Sequence, residues 1–215
     1  CLSEPGTGSD AANQQTTAVL KDDEYVLNGT KNFITNGPTA GHFIVFAMTD
    51  KSKRHKGISA FLVKRDDPGF GIGKVEMKMG IRASSTSSVI MEDCRIPKSR
   101  ILSGEGQGFY IAMNTLDNGR IGIATQALGI SQAAFDHALK YAGEREAFGN
   151  KINGFQAIQF MLADMSTRIE AARLLTYHAA WLKDQGQPCS LQAAQAKLYA
   201  SETSNFVTDK AVQIH

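Results

Sequence analysis

Cysteine is scarce in this chain: only Cys1, Cys94 and Cys189 occur, widely separated and odd in number. No Cys-x-x-Cys or Cys/His spacing of a zinc site is present, and three scattered cysteines make no disulfide framework, so a reducing compartment is expected. The histidines (His42, His55, His137, His178 and His215) are equally dispersed, and no metal ligand set is expected among them. An excess of one charge is missing too. Lys and Arg number 23 against 21 Asp and Glu, a formal net charge of +2, which gives no sign of a nucleic-acid partner. The longest basic stretch, Lys51-Ser52-Lys53-Arg54-His55-Lys56, lies between two apolar runs and reads as a solvated hairpin tip. No apolar run reaches the length needed to span a bilayer, so membrane insertion is not expected.

What is present is a globular composition, 42% hydrophobic and 20% charged over 215 residues, long enough to bury a core in one large or two small domains. The two halves carry different periods. Up to Pro97 the chain shows short β-prone runs: Thr16 to Leu20, Glu24 to Asn28, Thr30 to Ile34, Phe43 to Met48, Ile58 to Val63 and Ser88 to Met91. Asn28-Gly29, both tolerant of positive φ, predicts a tight hairpin turn. Short strands at this spacing imply a small antiparallel barrel or sandwich. Beyond Pro97, residues 106–142, 155–183 and 191–214 are helical in composition. In the second, Ile158, Met161, Leu162, Met165, Ile169, Ala172 and Leu175 recur at three- and four-residue steps, an apolar stripe on one helix face. Gly186 and Pro188 end that helix, and Ser190 is expected to cap the next. The reading is an α+β chain, a middle β domain over residues 1–102 followed by part of a helical bundle over 103–215. It opens on Cys, not Met, and stops at Gln213-Ile214-His215, so it is taken as a piece of a longer protein.

Chemistry could reside in four places. Glu4-Pro5-Gly6-Thr7-Gly8-Ser9-Asp10 joins two flexible glycines to hydroxyls, so its backbone can approach a ligand and offer donors. It is neither a Walker loop nor a Rossmann fingerprint. In Lys31-Asn32-Phe33-Ile34-Thr35-Asn36-Gly37, alternation puts Phe33 and Thr35 on one side of a strand, where a ring beside a hydroxyl suits a flat heterocycle. Arg120, after Asp117-Asn118-Gly119, and Arg145, at a turn between helices, each suit an anionic group. Taken singly, these features are more often a turn, a core phenylalanine and surface ion pairs.

Taken in order they are more specific. LSEPGTGSD, KNFITNG, GIRASSTSSVIMEDCRIP, TLDNGRIGIATQALG and EREAFGNKINGFQAIQFMLADM together resemble the acyl-CoA dehydrogenase family over nearly the whole chain. The likeness is greatest to its short-chain (butyryl) members, with short/branched-chain members a near second. The resemblance implies FAD held between the middle β domain and the helical domain. By motif position Leu2, Ser3, Gly8, Ser9, Phe33, Ile34 and Thr35 would meet it, Phe33 packing on the isoalloxazine where many relatives carry Trp. Arg145, Phe148 and Gln156 would reach the FAD of a neighbouring subunit, and Gln213 and Ile214 begin the adenosine-side contact. For an acyl-CoA, Phe109, Met113 and Leu116 would line the chain's path, and Asp117, Asn118, Gly119 and Arg120, with Ser9, would meet CoA.

The implied activity is α,β-dehydrogenation of a short acyl-CoA to the trans-2-enoyl-CoA in fatty-acid or branched amino-acid oxidation. The implied partners are electron-transferring flavoprotein and three further copies in a homotetramer. The implied compartment is the mitochondrial matrix in a eukaryote and the cytoplasm in a bacterium. One departure stands out. The family's usual base is a Glu in a Tyr-Glu-Gly-Thr-like segment expected beyond His215, and at the alternative position in the Asp117–Arg120 helix stands Gly119. No catalytic base is therefore expected within residues 1–215, and the family's N-terminal helical domain is expected to be absent from them. An oxidase-like flavoprotein on the same fold, or a non-catalytic β-plus-helix interaction module, is the alternative.

Overall fold

The computed structural model describes residues 1–215, which form two compact units, Cys1–Met113 and Asn114–His215. The first unit holds seven strands: β1 (Thr17–Lys21), β2 (Glu24–Thr35), β3 (His42–Met48), β4 (Ile58–Lys64), β5 (Phe70–Val75), β6 (Thr86–Pro97) and β7 (Ile101–Leu102). They make one sheet in the order β5-β6-β2-β1-β3-β4-β7. Neighbours run antiparallel except β1 and β3, which meet in parallel at Thr17 and Met48. The sheet is thus mixed, and β5 and β7 are its edges. Tyr25, Leu27, Phe43, Val45, Phe61, Val63, Val89 and Met91 pack one core against it. Lys51–Gly57 is a 3-10 turn between β3 and β4, its basic side chains exposed as expected of a hairpin tip.

Asn28-Gly29 does not turn the chain. Strand β2 runs straight through it, paired with β1 on one side and β6 on the other. The register with β6 shifts between Leu27 and Gly29; the extra residue lies on β6, where Asp93 takes φ 48°, so Asn28-Gly29 sits opposite a bulge in its neighbour. The Asn28 amide exchanges hydrogen bonds with Asp93, and a Cβ on Gly29 (φ 147°) would lie 2.5 Å from Thr16 Oγ1. The hairpin turn sits earlier, where Asp22 takes φ 54° between β1 and β2. Strand β5 escapes the sequence pattern because Gly71 and Gly73 dilute it. At Gly73 the missing Cβ is what lets Ser88 Oγ on β6 approach, 2.3 Å from where that carbon would stand.

The second unit is helical. Helix α1 (Gly108–Glu144) carries the division between the units within its length, and α2 (Gln156–Asp184) and α3 (Ser190–Ile214) follow. The predicted stripe on α2 is its buried face: Leu162, Met165, Ile169 and Ala172 are in the core, with Ile158, Met161 and Leu175 packed against it. Ala193, Ala196 and Ala200 on α3 are fully buried, and their small side chains let α2 and α3 approach closely. Ser190 is not the cap. Cys189 occupies that position without a side-chain bond, while Ser190 begins the helix and its hydroxyl donates to the Asp117 carboxylate. The Asp117 carboxylate is a strong, charged acceptor for the Ser190 hydroxyl.

Candidate functional site

In the first unit, residues 1–16 lie as a folded loop on the sheet. Glu4 and Thr7 exchange backbone hydrogen bonds at 2.9 and 3.1 Å, closing Pro5-Gly6 into a tight turn, and the Thr7 hydroxyl donates to the Asn13 carbonyl. Beside it the Asn32 amide donates to the Ser3 carbonyl at 2.8 Å. Leu2 and Ser3 therefore run directly along β2 next to Phe33.

Strand β2 changes character there. Its register with β6 shifts between Lys31 and Ile34, and Phe33 takes φ 58°, a left-handed conformation that costs a bulky residue about 1–3 kcal/mol. The result is a ring 68% exposed. Ile34 packs half-buried against the sheet core, and Thr35, paired with Thr86, is exposed again. Alternation puts Phe33 and Thr35 on one side of a strand, with a core phenylalanine the plainer expectation; both are in fact open, and it is the bulge rather than the pleat that turns the ring outward.

Beneath this surface lies a feature that the sequence reading passed over. Lys31, fully buried, donates to Glu4 Oε1 at 2.8 Å, Gln14 Oε1 at 3.0 Å and the Leu2 carbonyl at 3.3 Å. Glu4 also accepts from the Gln15 amide at 2.6 Å and the Thr16 amide at 3.0 Å. Burial alone would raise the Glu4 carboxyl, but the bonds from Lys31, Gln15 and Thr16 hold it below its ordinary value. Burial pushes the Lys31 ammonium down to about 8, against the pull of Glu4. The carboxylate shares its charge among several donors, whereas the ammonium regains only part of the hydration it lost. The one signal in the sequence was a lysine within a β-prone run, two residues before an aromatic.

Gly8 and Ser9 lie exposed on the outer part of the loop, and a Cβ on Gly8 would meet nothing within 4 Å. An open cavity of about 370 Å³ lies nearby, with Gln14, Met48, Lys51 and Arg54 among its walls. Phe109 and Met113 are half-buried with Leu2 in one apolar cluster around Phe46, Met48 and Ile58, so the loop residue and these two helix residues share a packing environment.

In the second unit, Asp117 accepts from both Arg120, at 2.5 Å, and Ser190. Arg120 is thus an ion-paired side chain, while Leu116, Asn118 and Gly119 are exposed. Arg145 differs: it is exposed at the end of α1 and makes no ion pair. It leads into a two-strand hairpin, β8 (Glu146–Ala147) and β9 (Asn150–Lys151), whose tip presents Phe148 at φ 51° and 95% exposure. Phe155 stands edge-on to Phe148 at 6.3 Å, and Gln156 opens α2, exposed. Gln213 is exposed, but Ile214 is buried in the helical core.

The acyl-CoA dehydrogenase middle-domain profile matches residues 1–94 and the acyl-CoA dehydrogenase C-terminal-domain profile matches residues 106–215. The chain belongs to the acyl-CoA dehydrogenase family. It is 53% identical over 213 residues to the short-chain-specific acyl-CoA dehydrogenase of Clostridium acetobutylicum, covering 99% of this chain and 56% of that protein. To the mitochondrial short-chain-specific acyl-CoA dehydrogenase of Rattus norvegicus it is 56% identical over 213 residues, covering 99% and 52%. The solved structure of butyryl-CoA dehydrogenase from Megasphaera elsdenii superimposes with a TM-score of 0.97 at 52% identity, covering 99% of this chain and 56% of that one. The chain thus spans about half the length of the curated relatives it matches, and those relatives include both bacterial and mitochondrial proteins.

Proposed function

We propose that these residues carry the flavin seat of a short-chain acyl-CoA dehydrogenase that converts an acyl-CoA to its trans-2-enoyl-CoA. The observation that carries the reading is Phe33: a strained, exposed ring beside the Thr35 hydroxyl and the Leu2-Ser3 backbone. Folding tolerates such a residue when a ligand uses it. A flat, apolar-faced heterocycle with a polar edge fits this donor set, as the isoalloxazine of FAD does, and FAD supplies the hydride-accepting chemistry of the reaction when bound. Phe33 would pack on the ring, Thr35 and Ser3 would hydrogen-bond its edge, and Gly8 and Ser9 would approach the cofactor and the CoA chain. Arg145, unpaired and next to Phe148 and Gln156, would serve the pyrophosphate of a cofactor in a neighbouring subunit of a homotetramer. Phe109, Met113 and Leu116 would border the acyl chain, and Asn118, Gly119 and Arg120 would meet CoA, with Asp117 keeping Arg120 in place.

The base that removes the α-proton is not assigned within residues 1–215. Electrons would leave to electron-transferring flavoprotein, in the mitochondrial matrix of a eukaryote or the cytoplasm of a bacterium. The test uses the full-length protein purified without added flavin. We expect a yellow protein whose absorbance bleaches anaerobically on addition of butyryl-CoA and which reduces a dye acceptor. A colourless protein that takes up no FAD would overturn the reading.

A further inference from the structure

We infer that Lys31 and Glu4 form a buried latch that positions the two walls of the flavin site relative to each other. This inference rests on the flavin reading above. The latch belongs to both walls. Lys31 lies on β2 two residues before Phe33, yet its ammonium holds the Leu2 carbonyl and Glu4 of the opposing loop. Glu4 in turn fixes the return of that loop through the amides of Gln15 and Thr16, and Lys31 fixes it again through Gln14. The Ser3 carbonyl and Asn32 amide, the direct contact between the walls at 2.8 Å, sit between these anchors. A fully buried ion pair is a poor device for stability alone, since apolar residues of similar volume serve as well or better. Its distinctive property is directional: three donor hydrogens and a two-oxygen acceptor place a flexible Gly-rich loop to within a hydrogen-bond length. Neither residue is placed against the flavin itself, so Lys31 and Glu4 are positioning residues.

The experiment compares full-length holoprotein with three variants: Lys31→Met, Glu4→Gln, and the double variant Lys31→Met/Glu4→Leu, which removes both charges at once. The double variant keeps the test sound if Lys31→Met alone does not fold. The expected result is a Kd for FAD raised roughly ten- to a hundredfold in the double variant, with a shifted flavin absorbance band. Hydrogen exchange at the Asn32 amide of the flavin-free protein should be faster, and kcat should fall with little change in KM for butyryl-CoA. These effects should persist where denaturation shows stability regained, and Glu4→Gln should give the same pattern more weakly. A stable double variant with wild-type flavin affinity, spectrum and Asn32 exchange would overturn the latch while leaving the flavin reading intact. Wild-type protein that takes up no FAD would overturn both.

Discussion

At the scale of single residues, Phe33 sets stability against binding. Its left-handed backbone is strained and its ring is largely out of the core, so Phe33→Gly should raise the unfolding free energy of flavin-free protein by about 0.5–1 kcal/mol. The same change should weaken FAD binding, whereas Phe33→Trp should retain it. Urea denaturation and a flavin titration on the same samples separate the two effects, and a loss of stability in the glycine variant would count against strain. Glu4 makes a prediction in pH. Its folded carboxyl is held below its ordinary value of 4.5, so its contribution is fully present above that value and is lost as pH falls through the folded one. Glu4→Gln should therefore be less stable than wild type at pH 7, by about 1.5–3 kcal/mol for lost charged hydrogen bonds. The gap should narrow steadily below pH 4.5. Equal gaps at pH 7 and pH 3.5 would show that Glu4 is not the titrating group.

At the scale of elements, β2 does most of the positioning, and its two irregularities separate its tasks. The first, at Asn28-Gly29, brings the strand against Thr16 at the end of the opening loop. Gly29→Ala should cost about 1–3 kcal/mol, because the added carbon would meet Thr16 and the backbone conformation disfavours a side chain. Gly71→Ala on β5, with only a carbonyl 4.0 Å away, should be close to neutral in the same thermal melts. The second irregularity, at Asn32-Phe33, turns the ring outward. Sequence alternation grouped Phe33 with Thr35 but did not show that the ring leaves the core. Pattern reading counts residues two at a time, and a bulge alters that count without leaving a mark in composition. The helices were easier to read, because a stripe such as that on α2 is repeated over seven positions and one misplaced residue does not erase it.

At the scale of the whole molecule, the two arginines raised as anion sites part company. Arg120 is neutralised by Asp117, which also ties α1 to the start of α3 through Ser190. Arg145 has no partner within the chain, so its removal should leave folding untouched. Arg145→Ala in the full-length protein is expected to change the melting temperature of flavin-free protein by no more than about 1 °C, in line with small surface effects. It should weaken FAD retention about tenfold or more, as loss of a charged hydrogen-bond donor to a phosphate does. Calorimetry and equilibrium dialysis check the pair of outcomes, and unchanged FAD retention would remove Arg145 from the site.

The amino-acid sequence alone determined the order of β unit then helical unit, the buried face of α2, and the ordered motifs that place the chain in its family. Each of these rests on neighbours within a turn, a pleat or a continuous motif. Only the tertiary structure decided that Asn28-Gly29 stays in strand opposite a bulge on β6, that a bulge in β2 turns Phe33 outward, that Ser190 serves Asp117 rather than its own helix, and that Lys31 is buried beneath the site. Those outcomes depend on partners distant in sequence, Cys94 and Thr16 for β2, Asp117 for Ser190 and Glu4 for Lys31. Local propensity leaves each residue several acceptable conformations, and the choice falls to the contact that burial makes available.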